Sequence, residues 1–241
     1  YSHNPSVVFN DVSFAWPDAT AVLRNITAAF GEGRTGLIGA NGSGKSTLLR
    51  LITGELQPQR GSITRSGLVG YLPQHLDLVP GSSVADLLGI RTKVDALRAI
   101  ESGNVDARHF DALGDDWDIE SRSRALLDSM SLNDLDIDRG VNTLSGGETM
   151  LTALAGLRLG GADIVLLDEP TNNLDRIARH EFYEAIRHWA GALIVVSHDV
   201  ELLNLMDETA ELRTGSLNIF GGNFSDYQLA VQQEQLAAEQ A

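Results

Sequence analysis

Residues 34–38 read as a strand, and residues 45–53 read as a helix closed by Gly54. Between them stands Gly39-Ala40-Asn41-Gly42-Ser43-Gly44-Lys45-Ser46, continued by Thr47. Two glycines with four residues between them, followed by Lys and Ser, match the pattern of a phosphate-binding loop. Glycine lets the backbone bend until successive N–H groups point at phosphate oxygens, and the helix start adds its positive end. Lys45 supplies a point charge for the β- and γ-phosphates, and Ser46 a hydroxyl for Mg²⁺. The strand–loop–helix context commits this part of the chain to an α/β layer.

The rest of the pattern agrees. Short strand-like segments at 7–9, 12–14 and 26–30 precede the loop, and further strands are expected at 62–65 and 68–72. From about 82 to 134 strand signals stop. Helical stretches are expected there at 84–89, 93–102, 106–113 and 119–130, an insertion within the α/β core. Residues 163–167 and 192–196 are nearly continuous apolar runs, which suit parallel strands buried on both faces. Helices are expected at 175–189 and 199–206, and closing strands at 209–213 and 217–220. Alternating strand and helix predicts a mostly parallel sheet covered by helices.

Bulk properties narrow the function. The chain has 241 residues, no cysteine and a formal net charge of −15. Zero cysteines excludes disulfides and thiolate metal sites and suits a cytoplasmic protein. So acidic a surface repels nucleic-acid phosphate at long range, so no direct contact with DNA is expected. No run approaches 18 apolar residues, the length a membrane-spanning helix needs. The chain begins at Tyr1 and ends in a polar, helix-favouring run; both ends read as cut points of a longer protein.

Two further stretches carry chemistry. Ile164-Val165-Leu166-Leu167-Asp168-Glu169 is an apolar strand ending in two carboxylates. Side chains alternate along a strand, so one acid can face Mg²⁺ while the other meets an attacking water. Leu144-Ser145-Gly146-Gly147-Glu148 reads as a helix capping box, Ser followed three later by Glu. Two glycines in the first turn cost about 1 kcal/mol each relative to Ala, which capping alone does not explain. They make sense where backbone N–H groups approach an anion, so Ser145–Gly147 is a second candidate phosphate site, joined to the first only through a partner domain.

Taken together, Gly39–Thr47, then LSGGE at 144–148, then IVLLDEP at 164–170, make the chain resemble the ATP-binding cassette ATPases. The resemblance covers essentially the whole chain. It implies an α/β P-loop NTPase fold with a mostly parallel sheet, an antiparallel β subdomain and an inserted α-helical subdomain. The core would be 6–78 and 140–225, the helical subdomain 79–139, and 226–241 the start of an interdomain linker helix. It also implies roles. Trp16 would stack on adenine, with Phe14 the alternative. Gln74, in GYLPQ, would touch Mg²⁺ and water beside Ser46 and Asp168. Glu169 would be the general base, His198 would hold the γ-phosphate, and Asp175, in TNNLD, would cross to the facing domain. Gly39, Asn41, Gly42, Ser43, Gly44 and Lys45 would cradle the triphosphate.

Within that family two such domains face head to tail, each offering its LSGG segment to the other's ATP. The run Phe220-Gly221-Gly222-Asn223-Phe224-Ser225-Asp226-Tyr227, with TNNLD and LSGGE, is most similar to the first cassette of the ABC-F class. Those proteins carry two cassettes on one chain, and many act on the ribosome in translation or antibiotic protection. The family usually has His where Asn173 stands, and often Gln and Arg where Thr149 and Met150 stand. Basic residues at 91–124 are outweighed by acids, so no basic arm for ribosomal RNA is evident. The alternative is the nucleotide-binding subunit of a membrane transporter.

Overall fold

The computed structural model describes residue 4 and residues 6–18 and 20–239. The start of the chain at Tyr1 and the end of the expected linker helix, 240 and 241, lie outside the described residues. Along the chain run β1 (Ser6–Ala15), β2 (Ala21–Phe30), β3 (Gly33–Ile38), α1 (Lys45–Thr53), β4 (Arg60–Ser66), β5 (Val69–Leu72), α2 (Val84–Leu87), α3 (Arg91–Glu101), α4 (Ala107–Leu113) and α5 (Ile119–Ser129). There follow α6 (Gly146–Leu159), β6 (Ile164–Asp168), α7 (Arg176–Arg187), β7 (Ala192–Val196), α8 (Val200–Leu203), β8 (Glu208–Arg213), β9 (Ser216–Gly221) and α9 (Phe224–Glu239). The chain divides into two compact units, residues 1–74, 162–172 and 186–241, and residues 75–161 and 173–185.

The first unit holds both sheets. Six strands lie in the order β5-β6-β7-β3-β8-β9, with only the β8–β9 pair antiparallel. The apolar runs of β6 and β7 are buried at every residue, as parallel strands covered on both faces must be. A second sheet, β2-β1-β4, is antiparallel throughout. Phe9 and Phe30 meet edge to face in its core, centroids 6.0 Å apart.

The two short strands expected at 7–9 and 12–14 are one, β1. The pairing shifts register between Phe9 and Val12, and Asp11 sits at φ 49°. The extra residues form a bulge, stabilised by the Asp11 N–H donating to Thr27 Oγ1 at 3.1 Å. The helix expected at 199–206 is the single turn α8, started by Asp199, whose carboxylate accepts from the N–H groups of Glu201 and Leu202.

Two ties hold the loop-bearing strand and helix. Arg34 on β3 grips Asp207 through Nε at 3.0 Å and Nη2 at 2.8 Å, and Nη1 donates to the Arg187 carbonyl. The pair holds the Asp207 carboxyl below its ordinary range. At the far end of α1, Arg65 of β4 donates to the carbonyls of Leu51, at 2.7 Å, and Ile52. A cation there satisfies orphan carbonyls and complements the helix dipole.

The second unit is helical and extends beyond the expected 79–139. α2 and α5 both pack on α6, which together with most of α7 belongs to this unit. Several of its basic residues pair with its own acids. Arg91 and Arg98 share Asp138, Arg98 also meets Glu120, and Lys93 and Arg122 share Asp116. Among the described residues no helix is long and apolar enough to cross a membrane.

Candidate functional site

The strand β3 enters the loop at Gly39, and α1 leaves it at Lys45. Gly44 occupies the position before the helix at φ 105°, and a Cβ there would lie 2.3 Å from Val22 Cγ1. No side chain caps this end of α1. The first-turn N–H groups are therefore available to a ligand. Lys45 folds back over the loop, its Nζ donating to the carbonyls of Gly39 at 2.8 Å and Ala40 at 3.0 Å. The Ser43 N–H closes the turn onto the Ala40 carbonyl at 3.1 Å. The Ser43 hydroxyl is buried with no hydrogen-bond partner among the described residues.

The carboxylates arrive from the end of β6. Asp168 is 6% exposed and Glu169 9%, beside Lys45 at 7%. Burial pushes the Lys45 ammonium down, opposed by the charges of Glu169 and Asp168. Asp168 accepts one long hydrogen bond, from Tyr71 Oη at 3.5 Å. Burial, then the Asp168 charge, pushes the Tyr71 phenol up to about 12.

Glu169 has a left-handed backbone, φ 49°, unusual for a residue with a side chain. Its N–H donates to the Val196 carbonyl at 2.8 Å, fixing that turn across the sheet to β7. Its carboxyl meets His198 twice, at 3.2 Å from Nε2 and 3.3 Å from the backbone N–H. Burial raises its pKa above the ordinary glutamate value, against the smaller lowering effects of His198 and Lys45. His198 Nε2 also lies 3.1 Å from Asn41 Oδ1.

These residues line one open cleft of about 1010 Å³, together with Trp16, Gln74, Ser46 and Thr47. Phe14 is buried and supports Trp16 edge-on, centroids 5.2 Å apart, so Trp16 is the ring that lines the cleft. Sequence reading missed Val22, Arg24, Asn172, Thr214 and Gly215 in this wall. Arg24 and Gly215 come together through a strand edge and a hairpin turn, where the Arg24 N–H donates to the Gly215 carbonyl at 2.8 Å. No local motif signals that meeting.

Ser145, Gly146, Gly147 and Asp175 belong to the second unit. The capping box at the start of α6 is formed in full. The Glu148 N–H donates to Ser145 Oγ at 3.1 Å and the Ser145 N–H to Glu148 Oε2 at 2.7 Å. These bonds hold the Glu148 carboxyl below its ordinary range. Ser145 and Gly146 are exposed, whereas Gly147 is buried, and a Cβ on it would lie 2.3 Å from Ala178 Cβ. Gly147 thus has a packing reason beside any ligand. Asp175 caps α7, Oδ1 accepting from the N–H groups of Ile177 and Ala178 at 2.9 Å each.

The family profile described as ABC transporter matches residues 23–172. Among curated proteins the chain is 34% identical to the tylosin resistance ATP-binding protein TlrC of Streptomyces fradiae, over 92% of this chain and 45% of that one. It is 34% identical to an antibiotic resistance protein of Mycobacteroides abscessus, over 93% and 46%. It is 31% identical to the probable ATP-binding protein YheS of Haemophilus influenzae, over 98% and 35%. The chain thus spans between about a third and a half of these relatives' length. Among solved structures it is similar to the ATP binding subunit of an ABC transporter, with TM-score 0.71 and 21% identity over 97% of this chain and 98% of that one. It is likewise similar to a bacterial Atm1-family ABC exporter with ATP bound, with TM-score 0.70 and 21% identity over 100% and 43%.

Proposed function

The chain belongs to the ABC transporter family as one of its ATPase cassettes, and from that premise we propose that it binds MgATP in the Gly39–Thr47 cleft and hydrolyses it there. The observation that carries this reading is a buried Glu169, its pKa raised, in the same cleft as Lys45, Ser46, Asp168 and His198. Such a carboxylate is a better base toward water than an ordinary surface glutamate.

On this reading each residue takes a role. The loop N–H groups and Lys45 take the β- and γ-phosphates, and Trp16 stacks on the base. Stacking of this kind contributes roughly 1–3 kcal/mol in nucleic-acid sites. Mg²⁺ fits the donors present, the hydroxyl of Ser46, the amide oxygen of Gln74 and Asp168, whose oxygens accept only the long Tyr71 bond among the described residues. Hard oxygen donors with one carboxylate suit that ion, which is usually completed by substrate phosphates and water. Bound there, it would neutralise charge on the phosphates. Glu169 accepts the proton of the attacking water, and His198 donates to the γ-phosphate as charge spreads over its oxygens.

Cassettes of this family work in pairs. A second cassette would bring its own LSGG segment to the γ-phosphate, while Ser145, Gly146, Gly147 and Asp175 of this one would face the second cassette's nucleotide. The named relatives confer antibiotic resistance or bind ATP, and with the closing run at 220–227 this supports an ABC-F protein acting on the ribosome in the cytoplasm. Glu169→Gln is expected to bind ATP and lose turnover by roughly 10²–10⁴. Unchanged turnover in a phosphate-release assay discards the assignment. Full-length Glu169→Gln protein is expected to co-sediment with ribosomes in ATP, and absence of ATP-dependent binding returns the cassette to a transporter subunit.

A further inference from the structure

We propose that Asn41 is the positioning residue for His198, holding the imidazole for the nucleotide through its side-chain carbonyl. His198 Nε2 lies 3.1 Å from Asn41 Oδ1 and 3.2 Å from Glu169 Oε1. With Nε2 carrying the proton, the ring donates to the side-chain amide of Asn41, and Glu169 lies beside it as an ion-pair contact. The Asn41 atom facing that N–H must then be its carbonyl oxygen, because its NH₂ would set donor against donor. That N–H reaches an acceptor on the phosphate loop, with the carboxylate of the catalytic strand beside it.

The ring needs such a hold. Its side chain is 58% exposed, and among the described residues it has no other hydrogen-bond partner. The loop that carries Asn41 is closed by Ser43 onto Ala40 and by Lys45 onto Gly39 and Ala40. Asn41 therefore presents an acceptor beside the place where the loop grips phosphate. A terminal phosphate oxygen entering the cleft takes over the proton from Asn41, so His198 changes acceptor without first having to find its orientation. Glu169 keeps its backbone bond from the His198 N–H throughout.

The kinetic part of the test rests on the ATPase reading, and the spectroscopic part does not. Asn41→Leu is expected to lower kcat/KM for ATP about three- to tenfold, the worth of one hydrogen bond. In a His198→Ala background the same substitution is expected to cost nothing further. An equal loss in both backgrounds overturns the proposal, because Asn41 would then act on the nucleotide or the loop itself. In the nucleotide-free wild-type chain, the His198 Nε2 proton is expected to be protected from solvent exchange by NMR, and to exchange faster once Asn41→Leu is introduced. Equal exchange in the two proteins also overturns it. Failure of wild-type ATP hydrolysis removes the ATPase reading and leaves this NMR comparison standing.

Discussion

Glu169 sets chemistry against stability. Burial raises its pKa, and Asp168 and Lys45 act on it in opposite directions. Only the ionised form takes a proton from water, so turnover is expected to fall on acidification from a higher pH than an ordinary glutamate would dictate. The pH dependence of kcat checks this, and an acid limb at the ordinary glutamate value speaks against Glu169. Fold stability runs the other way. A carboxyl whose folded pKa is raised binds its proton more tightly in the native state, so its contribution is lost as pH rises through that value. Lys45, Ser46, Asp168 and Glu169 were legible in the sequence because each lies in a contiguous motif. Arg24, Thr214 and Gly215 were not, because a strand edge and a hairpin turn bring them to the cleft only after folding.

At the scale of elements, the strands legible in advance were β6 and β7. Their continuous apolar runs leave no other place than the middle of a covered sheet. The strand misread was β1, where Asn10 and Asp11 look like a break. Partners on both sides, β2 and β4, impose the strand and fold the surplus into a bulge, so tertiary pairing outweighs local preference. The start of α6 joins two demands. Gly147 lets α7 approach so closely that an added methyl would meet Ala178 at 2.3 Å. Gly147→Ala is therefore expected to destabilise the protein by about 1–3 kcal/mol in urea denaturation. Ala178→Gly added to it is expected to recover much of that loss, since the two substitutions share one contact. Full additivity of the two losses removes the packing explanation.

For the whole molecule the decisive quantity is charge. Each copy carries a formal −15, and Arg91, Lys93, Arg98 and Arg122 of the helical unit are already paired with its own acids. Two copies of so acidic a chain repel each other until salt screens them, within about 10 Å at 0.1 M. ATP hydrolysis per mole by this chain is expected to rise with protein concentration, and to rise more steeply at 0.15 M salt than at 0.01 M. Turnover that stays constant on dilution removes the need for a second cassette. This sign is opposite to that of a protein held to its partner by surface ion pairs, whose activity salt would weaken.

The helix α1 is secured unequally, by Arg65 at its rear and by no side chain at its front. Whatever occupies the loop therefore closes the helix, and ligand becomes a structural part. At a hundred times its dissociation constant, a ligand stabilises the native state by about 2.7 kcal/mol. A cell depleted of nucleotide would then hold a cassette whose leading turn frays and whose chain is cut sooner. The half-life under limiting protease, with and without MgATP, is expected to report this. In living cells, the abundance of the protein would follow the supply of its fuel.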